Sequence, residues 1–382
     1  MQTIFDYLDW RGDLSFQKDP FNEVDNLVLS ILSYIEFEGV VPGENERSSV
    51  SLAEAAEHFK APKEASEPVY NKEFYKNLPK LLLGCAQSER FKDLQLSRYV
   101  NEVDFEKTKQ FSALVFSQNW RMHFISFSGT GETLAGWKED LQMSFKSAVP
   151  AQKRAAAYTK NAMSDLMGKF MLGGHSKGGN LAVFAAANLP KHMQRRITAI
   201  YNNDGPGFQS KVINSTGYQN IVEKINTTLP KSSVVGMILE HSGDYKVVDS
   251  FETGIMQHDA FSWGVRGPHF VYEDGLDSTS QSINKTMRAW LEKVPMEERA
   301  EFIDALFDIL EASGAKTFGE MNEEKLPSAL AMINTLLHLD SQTKANLKQV
   351  LEILFSEGQK EIKKKISEEF DHLTKKLVKK KA

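Results

Sequence analysis

The run Met171-Leu172-Gly173-Gly174-His175-Ser176-Lys177-Gly178-Gly179-Asn180-Leu181-Ala182 constrains this chain more than any other segment. An apolar, strand-like stretch over 169–172 leads into it, and LAVFAAANL, dense in helix formers, leads out. A strand that turns directly into a helix through Gly-x-Ser-x-Gly has the sequence of a nucleophile elbow, with Ser176 at its tip. Strand and helix approach that closely only where the flanking residues are small, and Gly174, Gly178 and Gly179 supply the room. The helix N-terminus would add partial positive charge where an oxyanion develops. Two other readings fit the same residues: a glycine-rich turn with an incidental serine, or a phosphate cradle. Against the cradle, no Gly-Lys-Ser/Thr follows, as a Walker loop requires.

Hydrophobic patterning places this turn in a larger frame. Residues 1–93 read as mainly helical. Over Asp25–Phe37 the residues Leu27, Leu29, Ile31, Leu32 and Ile35 are dense enough for a buried helix, although 28–31 also suits a strand. Ser51 and Glu54 form a capping box that opens a short helix to about Lys60, and Pro62 and Pro68 punctuate a charged connector. From Leu94 the period changes to two. Segments 94–104, 109–117 and 122–129 alternate and are rich in Val, Phe, Tyr and Ile, which predicts three successive strands. Helices are then expected over 136–145 and 150–167, a strand over 169–172, a helix from Ser176 and a strand over 197–201. A helical stretch over 218–226 and strands over 233–239 and 245–249 complete the series. Strands alternating with helices predict a mostly parallel sheet covered on both faces, with an antiparallel edge from the leading meander. From Ser282 the chain reads as helical, with helices over 296–314, 326–339, 342–355 and 359–380.

Composition narrows the function class. The 382 residues are 41% hydrophobic and include 24 Phe, enough for a sizeable core, and the net charge of -5 argues against a nucleic-acid binder. The single cysteine, Cys85, excludes an intramolecular disulfide and a cysteine-based zinc site, and no His-x-x-x-His pair suggests helical metal ligands. No metal or organic cofactor is expected. Asp6, Asp9 and Asp13 stand where a signal peptide would need positive charge, and no apolar stretch is long enough to span a bilayer, so a cytoplasmic protein is expected. Residues 360–382 carry nine Lys against four acidic residues, with Ile362, Ile366, Phe370, Leu373 and Leu377 on one helical face. Packing of that face on protein is favoured over contact with an anionic membrane surface. The oligomeric state is open.

Upstream of the elbow, His123–Gly131 ends a strand in a turn of small residues, and Trp137-Lys138-Glu139-Asp140 opens a helix. A serine hydrolase needs a second oxyanion donor from a loop of this kind, and Thr130 is placed for it; Gly129-Thr130-Gly131 could equally be only a turn. FISFSGTGETLAGWKEDL followed by GGHSKGGNLA resembles the class 3 lipases of the α/β-hydrolase superfamily. More narrowly, Tyr201–Phe208 and Gln257–Trp263 resemble segments of a bacterial lipase-like family of unknown function. The resemblance covers about residues 95–270. It implies an α/β-hydrolase core over 94–281, a mostly parallel sheet flanked by helices, between the N-terminal region 1–93 and a C-terminal helical region 282–382. It implies Ser176 as nucleophile, Asp244 as acid and His258 as base, with the backbone N–H groups of Thr130 and Lys177 as oxyanion donors.

Competitors stand beside these assignments. Asp204, in Asn203-Asp204-Gly205, is the alternative acid and Asp249 a weaker one; His241 and His269 flank His258. His175 is expected to pack under the elbow. The chain departs from class 3 lipases at Ser128, where they carry Arg, and at Lys177, where they carry an apolar residue. A lysine beside the nucleophile would favour an anionic or polar substrate, or simply be solvated. The expected function is cleavage of a carboxylic ester, of a lipid or other small molecule, through an acyl-enzyme. The alternatives are a thioesterase or acyltransferase on the same triad, and a catalytically silent scaffold of the same fold.

Overall fold

The computed structural model describes residues 1–59, 72–131, 133–278, 280–281, 296–311 and 316. The connector with Pro62 and Pro68, and the helices expected over 326–339, 342–355 and 359–380, lie outside the described residues.

Side-chain caps begin the early helices. Helix α1 (Ile4–Arg11) opens on Thr3 with Asp6 closing its capping box, α2 (Glu23–Leu32) on Asn22 with Asp25, and α3 (Leu52–His58) on Ser51 with Glu54. Each box satisfies end N–H groups that have no partner within the helix. Asn22 thus starts α2 before Asp25, the expected first residue, and every residue from Val24 to Leu32 is buried. α4 (Lys72–Gln87) follows.

The expected three-strand meander is present as β2 (Gln95–Asp104), β3 (Lys109–Asn119) and β4 (Met122–Phe127), with a short β1 (Val50–Ser51) on its outer edge. α5 (Leu134–Gln142) and α6 (Pro150–Asp165) lead to β5 (Lys169–His175) and α7 (Lys177–Ala187). β6 (Ile197–Asn203), β7 (Ile225–Pro230) and β8 (Tyr245–Val248) follow, then a ribbon of β9 (Val265–Arg266) and β10 (His269–Phe270), and finally β11 (Tyr272–Glu273). Among the described residues one sheet runs in the order β1-β2-β3-β4-β5-β6-β7-β8-β11. Its first four strands are antiparallel, β4 to β8 are parallel, and β11 returns antiparallel on β8. The molecule is therefore mixed α/β, with the antiparallel edge that the sequence pattern suggested.

One expected strand is displaced. Segment 233–239 is not a strand; it contains a 3-10 turn, Val235–Met237, and the strand lies upstream as β7. The helical stretch expected over 218–226 shortens to Thr216–Gln219 and a 3-10 turn, Val222–Lys224. Apolar runs of this length do not by themselves separate strand from buried turn. Here Thr227 and Thr228 suit the pleat, and Pro230, which has no N–H to donate, ends it.

Alternation along the strands divides the core in two. Leu114, Phe116, Phe124 and Met171 face one layer, packed with α1, α2, α4 and Trp263; Phe111, Val115, Ile125, Phe127 and Leu172 face the other, packed with α6 and α7. Helices α1, α2 and α4, with Trp263 and its neighbours, therefore form one of the two covering layers. A buried ion pair between Arg90 and Asp25, 2.6 Å, with the Tyr7 hydroxyl on the same carboxylate at 2.8 Å, ties its helices together.

Candidate active site

The chain turns directly from β5 into α7 at Ser176. β5 ends at His175, and Ser176 adopts φ +57° and ψ -134° before α7 begins. Left-handed φ in a residue with a side chain costs on the order of 1–3 kcal/mol, and the turn must be held by its surroundings. The Ser176 N–H donates to Asn203 O at 2.9 Å, which locks the turn to the end of β6. A Cβ on Gly178 would lie 2.1 Å from Phe127 O, and one on Gly174 would lie 2.3 Å from the Gly178 carbonyl carbon. The glycines are thus required by contact. The Ser176 side chain makes no capping bond to α7, so its hydroxyl is not committed to the helix.

The carboxylate that meets His258 is Asp204, at 2.6 Å between Nδ1 and Oδ2. This departs from the expectation of Asp244. Asp204 directly follows β6, the strand beside β5, is fully buried, and itself has φ +50°. Its other oxygen accepts from the Ser233 hydroxyl and from Gly236 N–H at 3.2 Å. The displaced segment 233–239 therefore exists as a turn whose polar groups orient this carboxylate. Asp244 is exposed, ahead of β8, with β7 lying between β8 and β6. Neighbouring strands are about 4.8 Å apart, so two strand spacings separate it from the Asp204 position. Asp249 accepts the N–H of Ser250, and His269 is exposed beside Glu23. His241 bonds the carbonyl of Gly236.

His258 ends the 3-10 turn Gly254–His258, with a quarter of its side chain exposed. Trp263, fully buried, anchors this loop by donating to Gln257 O at 2.8 Å. His175 sits beside His258, with ring centroids 4.6 Å apart. Its Nε2 meets the His258 carbonyl at 2.8 Å and its Nδ1 meets the Tyr34 hydroxyl at 3.0 Å. A carbonyl only accepts, so Nε2 carries the proton and Nδ1 accepts from Tyr34. Burial, and secondarily His258, hold the His175 pKa well below the usual histidine range. His175 is thus a neutral bracket between Tyr34 and the His258 loop.

The loop after β4 meets the elbow from the other side. The Thr130 hydroxyl donates to the Asp140 carboxylate, and Gly131 N–H donates to Gln110 Oε1 at 3.1 Å. Ser128, the position at which the sequence departs from the class 3 lipases, is buried and donates to Gly129 O at 3.2 Å. The side chain of Lys177 departs from both of the placements expected for it. It is buried and reaches Glu139 Oε2 at 2.6 Å and Asp140 Oδ1 at 3.5 Å, so it faces neither solvent nor a substrate. Sequence reading did not single out Tyr34, Glu139 or Asp140. The only signal for the last two was their position in Trp137–Asp140, because nothing in the sequence indicated which cation they would meet. Beside the His258 loop a cleft of about 490 Å³ is lined by Phe5, Glu73, Phe251, Met256, Asp259 and Phe261, among others. Burial pushes Asp259 up to about 6.

The model of a family described as Mbeg1-like matches residues 85–308, more than half of the sequence. No curated protein matches the chain. Among solved structures, the chain is similar to one titled "Crystal structure of M37 lipase", at 12% identity and a TM-score of 0.35, over 57% of this chain and 70% of that one. No helix among the described residues is long and apolar enough to cross a membrane.

Proposed function

This chain belongs to the Mbeg1-like family, and on that premise we propose that it is a serine hydrolase of the α/β-hydrolase kind, cleaving a carboxylic ester of a small molecule or lipid. The observation that carries the reading is the coincidence, at the ends of adjacent parallel strands, of a strained Ser176 elbow and a buried Asp204 bonded to His258. His258 Nε2 takes the Ser176 hydroxyl proton as Oγ attacks the ester carbonyl. Asp204 holds the Nδ1–H tautomer and stabilises the imidazolium that forms. The tetrahedral oxyanion is received by the backbone N–H groups of Thr130 and Lys177, with the α7 N-terminus beneath it. His258 then returns the proton to the leaving alcohol, and water attacks the acyl-enzyme by the same route. A Ser176–His258 hydrogen bond is not among those made by the described residues; such bonds commonly tighten only with substrate bound.

Labelling with a fluorophosphonate tests the reading. Wild type should be labelled and Ser176→Ala should not, while the variant keeps its fold because the turn loses only an oxygen. Ester hydrolysis at the wild-type rate in Ser176→Ala would remove the hypothesis. Thioester cleavage or acyl transfer would use the same groups, and a panel of acyl donors separates these from ester hydrolysis.

A further inference from the structure

The residue after the nucleophile carries a buried cation. Lys177 is 1% exposed, and its ammonium lies 2.6 Å from Glu139 Oε2 and 3.5 Å from Asp140 Oδ1. Glu139 is equally buried, and it also accepts Gln110 N–H at 3.0 Å and Ala151 N–H at 2.7 Å. Asp140 in turn accepts the Thr130 hydroxyl. The Lys177–Glu139 bond, the longer Lys177–Asp140 ion pair and the Thr130–Asp140 bond therefore link the first residue of α7, through α5, to the loop after β4. The two ends of this link are the two residues whose backbone N–H groups would receive the oxyanion.

We propose that Lys177 is a positioning residue, whose ammonium fixes the elbow relative to the Thr130 loop and so sets the separation of the two oxyanion donors. This inference rests on the serine-hydrolase reading. Its physical basis is that a buried ion pair has one good geometry, whereas an apolar side chain at 177 would tolerate sliding of α5 against α7. A donor displaced by about 1 Å loses much of its value, because the oxyanion bond is short and directional. Lys177 also favours the ionised form of Asp140, the form that accepts the Thr130 hydroxyl. The groups facing that carboxylate are Lys177 from α7, Glu139 from α5, Thr130 from the loop and, at longer range, Tyr34. Burial outweighs the opposing pull of Lys177, and with both acting Asp140 is raised to about 6.

The test uses the full chain, with one sample labelled by a fluorophosphonate and a separate, untreated sample assayed on p-nitrophenyl esters. Lys177→Met should lower kcat about 10- to 100-fold with KM little changed, and should move the acid limb of the pH–rate profile to higher pH. Lys177→Arg should recover part of the rate. Lys177→Met strands the Glu139 charge and could fail to fold, so Lys177→Met/Glu139→Gln removes both charges together. That pair should regain the wild-type melting temperature while kcat stays low and the acid limb stays displaced. A double variant that melts like wild type, with wild-type kcat and an unmoved acid limb, would overturn the inference and leave the hydrolase reading intact. A wild type inert to the fluorophosphonate and to every ester would overturn both.

Discussion

At the scale of single residues, the acid of the proposed triad is the sharpest point. Asp204 has three bonded partners, His258 Nδ1, Ser233 Oγ and Gly236 N–H, whereas Asp244 lies in an exposed turn. Asp204→Asn should therefore lower kcat for ester hydrolysis by about 10²–10⁴, since an amide in that place favours the wrong histidine tautomer. Asp244→Asn should stay within about twofold of wild type. Steady-state rates on one ester for both variants decide it, and the opposite ranking would return the acid to Asp244. His175 gives a second prediction. It is buried neutral, with its pKa depressed, whereas in the unfolded chain it takes up a proton near about 6.5. Its contribution to stability is therefore whole above that pH and is lost as pH falls toward the depressed folded value. Urea midpoints measured at pH 7.5 and 5 should fall further for wild type than for His175→Asn.

At the scale of elements, what holds the site is the attachment of the N-terminal helices to the sheet. Asn26 of α2 exchanges side-chain hydrogen bonds with Asn203 at the end of β6, at 3.0 and 3.2 Å, and Asn203 O receives the Ser176 N–H. The pose of α2 depends in turn on the Arg90–Asp25 pair, both of whose side chains are fully buried. Removing one member of such a pair leaves a bare charge in a low dielectric, at about 3–5 kcal/mol. Arg90→Met should lower unfolding stability by about that amount, measured by urea denaturation. Asp25→Asn/Arg90→Met should recover part of the loss, since no charge is then left unmatched. Labelling of Ser176 should fall with the folded fraction alone. A variant that stays folded yet resists labelling would indicate that α2 sets the elbow's geometry directly.

At the scale of the whole molecule, the sheet has two cores, and the one formed with residues 1–93 is not optional. Leu96, Leu114, Phe116, Phe124 and Met171 would lose their cover without α1, α2 and α4. An exposed apolar patch of that extent drives association. A chain beginning at residue 94 should therefore express as aggregates or with no cooperative melt, even though the sequence pattern of the strands and the elbow lies wholly within it. Near-UV circular dichroism and size-exclusion chromatography check this. A soluble, cooperatively melting truncation would make the N-terminal layer an accessory.

Much of this was legible in the residues themselves, because it rests on local chemistry. Gly174, Gly178 and Gly179 around Ser176 dictate a turn too tight for side chains, and period-two alternation at 94–127 dictates a pleated meander. The boxes at Ser51–Glu54 and Pro150, the first residue of α6, mark helix starts by the same kind of rule. Partner choice belonged to the tertiary structure. Several carboxylates lay within reach of His258 in sequence, and only the placement of β6 beside β5 brings Asp204 to it while β8 leaves Asp244 in solvent. Lys177 looks like a surface cation in sequence, and becomes a buried one only because α5 presents Glu139 and Asp140 to it. Backbone propensity is fixed by neighbours along the chain. Charge pairing depends on distance in space, which the sequence does not contain until the sheet order is set.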